Sequence, residues 1–217
     1  MASYDPLDDL LSNYDTSLLN STKKTLRVLK EAYTLTVPGL VAKSMTDRLA
    51  QAAGVRFHLG TPDPELQRLA SWLFTIAAED QPRLLRLTRK LWNRHGREDM
   101  RLAGLILANL DPTCMNESPW EELSSMVGKA EPLEALLEVV EEVSRAKVAI
   151  PSDSMLERYC TISTLHHHLA MLIINVCSRR DARKDLSLVQ FRIVKSRPDG
   201  PELLDRIAER MLEHASE

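Results

Sequence analysis

Aromatic residues make up only 5% of this 217-residue chain, and glycine occurs only seven times. An all-β fold needs aromatic and β-branched strands and many glycine turns, so this composition argues against one. Leucine, alanine, glutamate and arginine, which are good helix formers, are abundant instead. Hydrophobic residues make up 44% of the chain, which is enough for a core. The composition therefore predicts an all-α protein.

Cysteine is also scarce, with Cys114, Cys160 and Cys177 alone and no Cys-x-x-Cys spacing. This argues against a zinc knuckle or a redox pair. The three residues lie in apolar, helix-like segments, so we interpret them as buried free thiols in a reducing, cytoplasmic setting. The most apolar run, residues 169–177, is too short to cross a bilayer, so no membrane association is expected.

A basic excess is missing as well, since the formal net charge is −3. Proteins that wrap nucleic acid usually carry a clear excess of positive charge, so only a local basic face could serve this purpose. The chain has no Gly-x-x-x-x-Gly-Lys, Gly-x-Gly-x-x-Gly, Gly-x-Ser-x-Gly or His-x-x-x-His motif. We therefore expect no cofactor and no metal.

About ten amphipathic helices are predicted, because apolar residues recur at three- and four-residue steps and prolines mark the starts. The predicted segments are 16–34, 38–53, 65–78, 82–95, 98–110, 119–127, 132–147, 155–177, 181–196 and 201–215. Helix pairs would repeat at roughly 35 to 40 residues, a period typical of HEAT-like α-solenoids with antiparallel helix pairs. A compact helical bundle is the alternative. We expect one domain over residues 1–217, with any subdivision at 149–154.

Two stretches of the chain carry motifs in a characteristic order. The first is Gly54-Val55 followed by Thr61-Pro62-Asp63-Pro64-Glu65-Leu66-Gln67-Arg68-Leu69-Ala70. The second is Leu91-Trp92, then Glu98, then Arg101-Leu102-Ala103, with one extra residue between the glutamate and the arginine. Together they resemble the AlkD-like DNA alkylation repair family. The resemblance covers roughly residues 40 to 125 and implies a HEAT-like solenoid, in agreement with the helix periodicity.

The same resemblance implies where a glycosylase site would lie. Glycosylase members of the family recognise positively charged alkylated bases with tryptophans and an aspartate, without flipping the base into a pocket. Trp120 matches one expected tryptophan, the second is absent, and Ser124 stands where the aspartate is expected. Serine cannot supply the negative charge that stabilises an oxocarbenium ion, so glycosylase activity is doubtful.

Two basic clusters, at residues 83–101 and 179–197, are candidate phosphate-binding sites, because the planar guanidinium group suits phosphate oxygens. The alternative for each cluster is a solvated helix face. Arg179 and Arg180 are expected at the end of the long helix, where positive charges interact favourably with the helix dipole. Trp120 is either an exposed stacking ring or a core residue. The candidate nucleic-acid-binding residues are Arg83, Arg86, Arg94, Arg97, Trp120, Arg180, Arg183 and Lys184.

The other polar clusters have structural interpretations. His166, His167 and His168 would point about 100° apart on a helix and could not chelate one metal, so packing or solvation is expected. The glutamates of segment 132–147 read as the wet face of an amphipathic helix. Arg101, in an apolar helix, is expected to pair with a buried acid, and Glu98 is the nearest in sequence.

Three functions follow as hypotheses. The first is a divergent AlkD-like HEAT-repeat protein that binds nucleic acid, duplex DNA above all, through a basic concave face. The second is a non-catalytic scaffold that binds a protein partner on that face. The third is a glycosylase for alkylated purines with rearranged residues around Trp120.

Overall fold

The computed structural model describes residues 5–35, 37, 46–115, 118–128, 130–182 and 185–214. The chain divides into two compact units, Met1–Asn116 and Glu117–Glu217. The described residues form twelve α-helices, where about ten were predicted, and no strand occurs among them. The all-α prediction is therefore confirmed. Among these residues, no helix combines the length and the hydrophobicity that a membrane span requires.

The first unit is built around one buried helix, α6. Eleven of the thirteen residues of α6 are buried, and the helix packs against α4 and α5. This confirms the expectation that segment 98–110 is apolar on two sides and enclosed. The helices of the unit are α1 (Pro6–Ser12), α2 (Thr22–Leu35), α3 (Thr46–Ala53), α4 (Asp63–Ala77), α5 (Pro82–Arg94) and α6 (Arg97–Asn109).

Only two residues connect α5 to α6. His95 has a left-handed backbone, with φ of 59°, and ends α5 through a bond from its N–H to the oxygen of Trp92. At Gly96, a Cβ atom would lie 2.0 Å from the ring of Phe57, so a larger residue would displace this aromatic side chain. The glycine therefore lets the segment before α4 pack closely on the start of α6.

The second unit has the same plan around α10. Residues 166–177 of α10 are all buried, and the helix packs against α8, α9, α11 and α12. The helices of the unit are α7 (Pro119–Met126), α8 (Leu133–Arg145), α9 (Asp153–Ile162), α10 (Thr164–Arg180), α11 (Leu188–Lys195) and α12 (Glu202–His214).

The prediction of one long helix over residues 155–177 is wrong, because the helix is interrupted at Ser163, between α9 and α10. The backbone of Ser163 is extended, with φ of −165° and ψ of 167°, and its side chain accepts a hydrogen bond from the N–H of His166. A serine that satisfies the first free N–H groups of a helix favours a new start over continuation. Hydrophobic periodicity alone cannot distinguish a new helix from a continued one, because α9 and α10 both have apolar faces.

Other boundaries also differ from the sequence prediction. Segment 16–34 is a 3₁₀ turn, Thr16–Asn20, followed by α2, and α11 starts at Leu188 rather than at 181. Helix α1 was missed, although Asp5 caps it and Pro6 stands in its first turn. Residues 38–45 of the predicted segment 38–53 lie outside the described residues.

The stacking of helix pairs into a HEAT-like solenoid stays a prediction. The single-domain expectation for 1–217 likewise stays a prediction. Residues 149–154 lie within the second unit, where they cover the end of the α8–α9 connection and the first two residues of α9. Within each unit, the element that organises the core is one helix with an apolar surface on nearly all sides.

Candidate functional site

Four of the five basic residues of α5 share one side of that helix. Arg83, Lys90 and Arg94 are seven and four residues apart, and Arg86 is within one turn of Arg83 and Lys90. The Arg83 guanidinium donates to Asn20 Oδ1, just before α2, and pairs with Asp80. Arg86 is exposed. This side of α5 therefore borders the start of α2 and continues into solvent.

Arg94 lies where α5, α6 and α2 meet. Its Nε lies 2.9 Å from Asp99 Oδ2, and its Nη1 donates to the main-chain oxygen of Leu26 over 3.2 Å. The guanidinium carbon stands 5.5 Å from the centre of the Phe57 ring, in a cation–π arrangement. The side chain is 24% exposed, so part of its charge reaches the surface.

Arg97, the fourth predicted residue of the first cluster, has a structural role within the first unit. It donates to the main-chain oxygen of Thr61 over 3.0 Å and to Asp63 Oδ1 over 2.8 Å. Arg101 Nη2 lies 3.6 Å from the other oxygen of Asp63. Both arginines thus tie α6 to the start of α4, and an acid distant in sequence takes part in holding Arg101.

Glu98 is fully buried and anchors the segment that leads into α4. Its Oε1 accepts main-chain N–H groups from Leu59 at 2.8 Å, Gly60 at 2.9 Å and Thr61 at 3.4 Å. Nδ1 of His58 is 3.8 Å from the same oxygen. A carboxylate that accepts successive amide N–H groups stabilises the loop that carries them.

Asp99 is also fully buried, beside Glu98 and next to a tyrosine. The hydroxyl of Tyr33 donates to Asp99 Oδ1 over 2.9 Å. Burial raises the pKa of Asp99 to about 6, against the opposing effects of Arg94, Tyr33 and Lys30. Burial and the Asp99 charge together hold the pKa of Tyr33 well above its ordinary value, so Tyr33 stays a hydrogen-bond donor.

A second row of cations on α2 was not singled out from the sequence. Lys23, Arg27 and Lys30 are exposed and spaced by four and three residues, so they share one side of α2. Arg94 of α5 reaches the main-chain oxygen of Leu26, beside Arg27, and Arg83 reaches Asn20 just before α2, so α2 runs alongside α5 here. The pattern Lys-Lys-x-x-Arg-x-x-Lys at 23–30 was the signal that could have revealed it.

We call the exposed part of this arrangement the α2–α5 basic face. It consists of Lys23, Arg27 and Lys30 from α2 and Arg86 and Lys90 from α5. Among the described residues, none of the five has an acidic partner within ion-pair distance. The two helices carry four and five basic residues against one acid, Glu31.

Trp120, in the second unit, is a core residue rather than an exposed ring. The indole is 1% exposed, and its Nε1 donates to the main-chain oxygen of Ala149 over 2.8 Å. Ser124 is also buried, and its carbonyl faces Nε2 of His166 at 3.1 Å. Neither residue is presented to a ligand on the surface of α7.

Arg180 closes the end of α8. It donates to the main-chain oxygens of Ser144, at 3.0 Å, and Val148, at 2.7 Å, and it pairs with Asp181. As predicted, α10 ends at this arginine. A guanidinium that satisfies free carbonyls at a helix end has a structural role. Arg183 and Lys184 lie outside the described residues.

The three consecutive histidines are all buried and hold α10 to its surroundings. Nε2 of His167 lies 2.8 Å from the main-chain oxygen of Ile193, and Nδ1 of His166 lies 2.8 Å from the hydroxyl of Ser163. Burial lowers the pKa of His168. Within the described part of the chain, no three His, Cys, Asp or Glu residues are grouped so that they could hold a metal.

The structure thus gathers Arg83, Arg86 and Arg94 on one side of α5, while Arg97 and Arg180 bind backbone and acids within their own units. The resemblance to AlkD-like proteins stays a prediction. Comparison of the chain with family models, with curated proteins and with solved structures gave no match in any of the three.

Proposed function

We propose that this protein binds nucleic acid through the α2–α5 basic face. The observation that carries the proposal is a concentration of charge. The chain as a whole has a net charge of −3, yet two neighbouring helices expose five cations without an acidic partner among the described residues. Side chains in this state keep their charge available to phosphate oxygens, whereas arginines in ion pairs with buried acids do not.

The proposed contact is with the sugar–phosphate backbone. The face has lysine and arginine but no exposed tryptophan or tyrosine, because Tyr33 of α2 and Trp92 of α5 are both buried. Base recognition by stacking needs an accessible ring. We therefore expect binding that depends weakly on sequence and strongly on salt, with duplex DNA as the first probe.

The two other functions have less support. Large exposed hydrophobic residues within the described chain are Leu35, Leu49, Ile162 and Leu188, each on a different helix or at its end. Scattered apolar residues do not amount to a protein-binding patch. A glycosylase mechanism around Trp120 would need an accessible ring and a carboxylate, whereas Trp120 and Ser124 are buried.

A titration of labelled duplex DNA tests the proposal. The wild-type protein should bind at low salt, and its affinity should fall steeply between about 50 and 200 mM salt. The double variant Arg86→Gln/Lys90→Gln removes two cations of the face. It should bind more weakly, and the slope of log affinity against log salt should fall by about 2.

The matched control removes two exposed cations from the second unit, Lys147→Gln/Arg206→Gln. It changes the net charge by the same amount and should leave the affinity and the salt slope close to wild type. Equal losses of affinity in the two double variants would show that binding depends on net charge, and would reject the α2–α5 basic face as the binding site. Absence of binding by the wild type at low salt would reject the function.

A further inference from the structure

A buried carboxylate lies directly behind the basic face. Asp99, at the start of α6, is faced by Tyr33 and Lys30 from α2, by Arg94 from α5 and by its neighbour Glu98. Lys30 belongs to the basic face, and Arg94 continues the same side of α5 beyond Lys90. One acid is therefore in electrostatic contact with cations of both helices.

The contact between Arg94 and Asp99 is a contact of charges without a well-aligned hydrogen bond. Arg94 Nε lies 2.9 Å from Asp99 Oδ2, yet no donor in the described chain is directed at this oxygen. The other oxygen, Oδ1, accepts the hydroxyl of Tyr33. Oδ2 is thus the oxygen on which a proton can be placed without loss of the tyrosine hydrogen bond.

Burial makes the proton easier to add. It raises the pKa of Asp99 to about 6, and the charge of Glu98 acts in the same direction. Arg94, Tyr33 and Lys30 act in the opposite direction. An anionic ligand bound to Arg94 or Lys30 would offset their positive charge at Asp99. The two cations would then lower the pKa of Asp99 less, which favours the protonated acid.

We infer that Asp99 is a counter-ion of the α2–α5 basic face and that protonation removes its negative charge. When ionised, it neutralises Arg94 from within the protein. When a proton from solvent occupies Oδ2, the charge of Arg94 becomes available to a bound phosphate, so nucleic-acid binding and proton uptake favour each other. The inference rests on the proposed function, because it concerns the regulation of the same face.

Two histidines must be separated from this effect. His95 directly follows Arg94 in the chain, and His58 lies close to Glu98. Both place an imidazole near these charged groups. The double variant His58→Gln/His95→Asn removes both imidazoles, and asparagine tolerates the left-handed backbone of residue 95.

The experiment measures duplex-DNA affinity between pH 8 and pH 5.5 at constant salt. The wild type should bind up to about tenfold more tightly at pH 5.5, since one unit of pKa change on binding corresponds to tenfold in affinity. Asp99→Asn should bind at pH 8 as the wild type does at pH 5.5, with a flat profile. The histidine double variant should follow the wild type.

A matched control is Glu65→Gln, which removes a carboxylate paired with Arg68 on α4 and should keep the wild-type profile. If Asp99→Asn also keeps the wild-type profile, or if the histidine variant abolishes it, the inference is overturned while the proposed function stands. Absence of binding by the wild type at every pH overturns the proposed function and this inference together.

A second measurement does not depend on the stability of a variant. The carboxyl carbon of Asp99 in the wild-type protein is titrated by NMR with and without duplex DNA. Its pKa should be higher in the complex. An equal or lower pKa in the complex would overturn the inference even if the affinity varies with pH.

Discussion

Trp120 Nε1 donates a hydrogen bond of 2.8 Å to the main-chain oxygen of Ala149, and the indole ring is buried. The two residues join α7 to the segment that follows α8. The residue that the family resemblance assigns to recognition of damaged bases is therefore held by backbone within the second unit.

Replacing Trp120 should lower stability rather than remove a binding residue. We expect Trp120→Ala to lower the free energy of unfolding by roughly 3 to 5 kcal/mol, because it leaves a large cavity. Trp120→Phe should cost about 1 to 3 kcal/mol, mainly because the Ala149 oxygen loses its partner. Denaturant unfolding measures both values. DNA affinity per folded molecule should be unchanged, and a selective loss of affinity would contradict the structural role.

The Glu98 side chain should be a major stabiliser of the loop before α4. Glu98→Ala removes the acceptor for Leu59 and Gly60 and should lower the free energy of unfolding by about 3 kcal/mol. Amide hydrogen exchange should accelerate at those two residues. The control is Glu157→Ala, whose exposed ion pair with Arg192 should contribute less than about 1 kcal/mol. Similar small losses in both variants would contradict the anchoring role.

Tyr33→Phe should raise the pKa of Asp99 further above its value of about 6. The tyrosine hydroxyl stabilises the ionised acid, so its removal leaves the opposing effect of burial less compensated. We expect a rise of about one unit, measured from the NMR titration of the Asp99 carboxyl carbon. Tyr159→Phe, in the second unit, should leave this titration unchanged. A lower pKa in Tyr33→Phe would show that the hydrogen bond does not favour the carboxylate.

His168 should make the second unit sensitive to acid. Burial lowers its folded pKa below the ordinary value of 6.5, so the unfolded chain binds the proton more readily as the pH falls below that value. The free energy of unfolding should therefore decrease between pH 7 and pH 5. Hydrogen exchange in α10 and α11 reports this decrease. His168→Gln should flatten the dependence even if it lowers stability overall, while His58→Gln should leave it intact.

Local sequence features predicted five of the twelve helices closely. Proline in a first turn, a serine or aspartate cap and apolar residues at three- and four-residue steps predicted α4, α5, α6, α7 and α8 within a few residues. These signals act through neighbours in the chain. They were insufficient at Ser163, where capping of a new helix competes with continuation of the old one.

The candidate site was predictable only in part. The arginine-rich composition of α5 is visible in the sequence, and so is the cationic run of α2. Their proximity is not, because it depends on contacts of Arg83 with Asn20 and of Arg94 with Leu26, which are 63 and 68 residues apart in the chain. Arg97 was also a candidate from the sequence, although its guanidinium donates to the Thr61 main-chain oxygen and the Asp63 carboxylate.

The helical character of the chain, its apolar faces and the start of most helices follow from the sequence, since they depend on backbone propensity and local spacing. Which charges are available at the surface depends instead on the tertiary structure. An arginine is neutralised by an acid brought close in space, and a tryptophan is core or surface according to what packs against it. Asp99 shows this most clearly: its neighbours Tyr33 and Lys30 come from another helix, and its burial sets the pKa at which it would take up a proton.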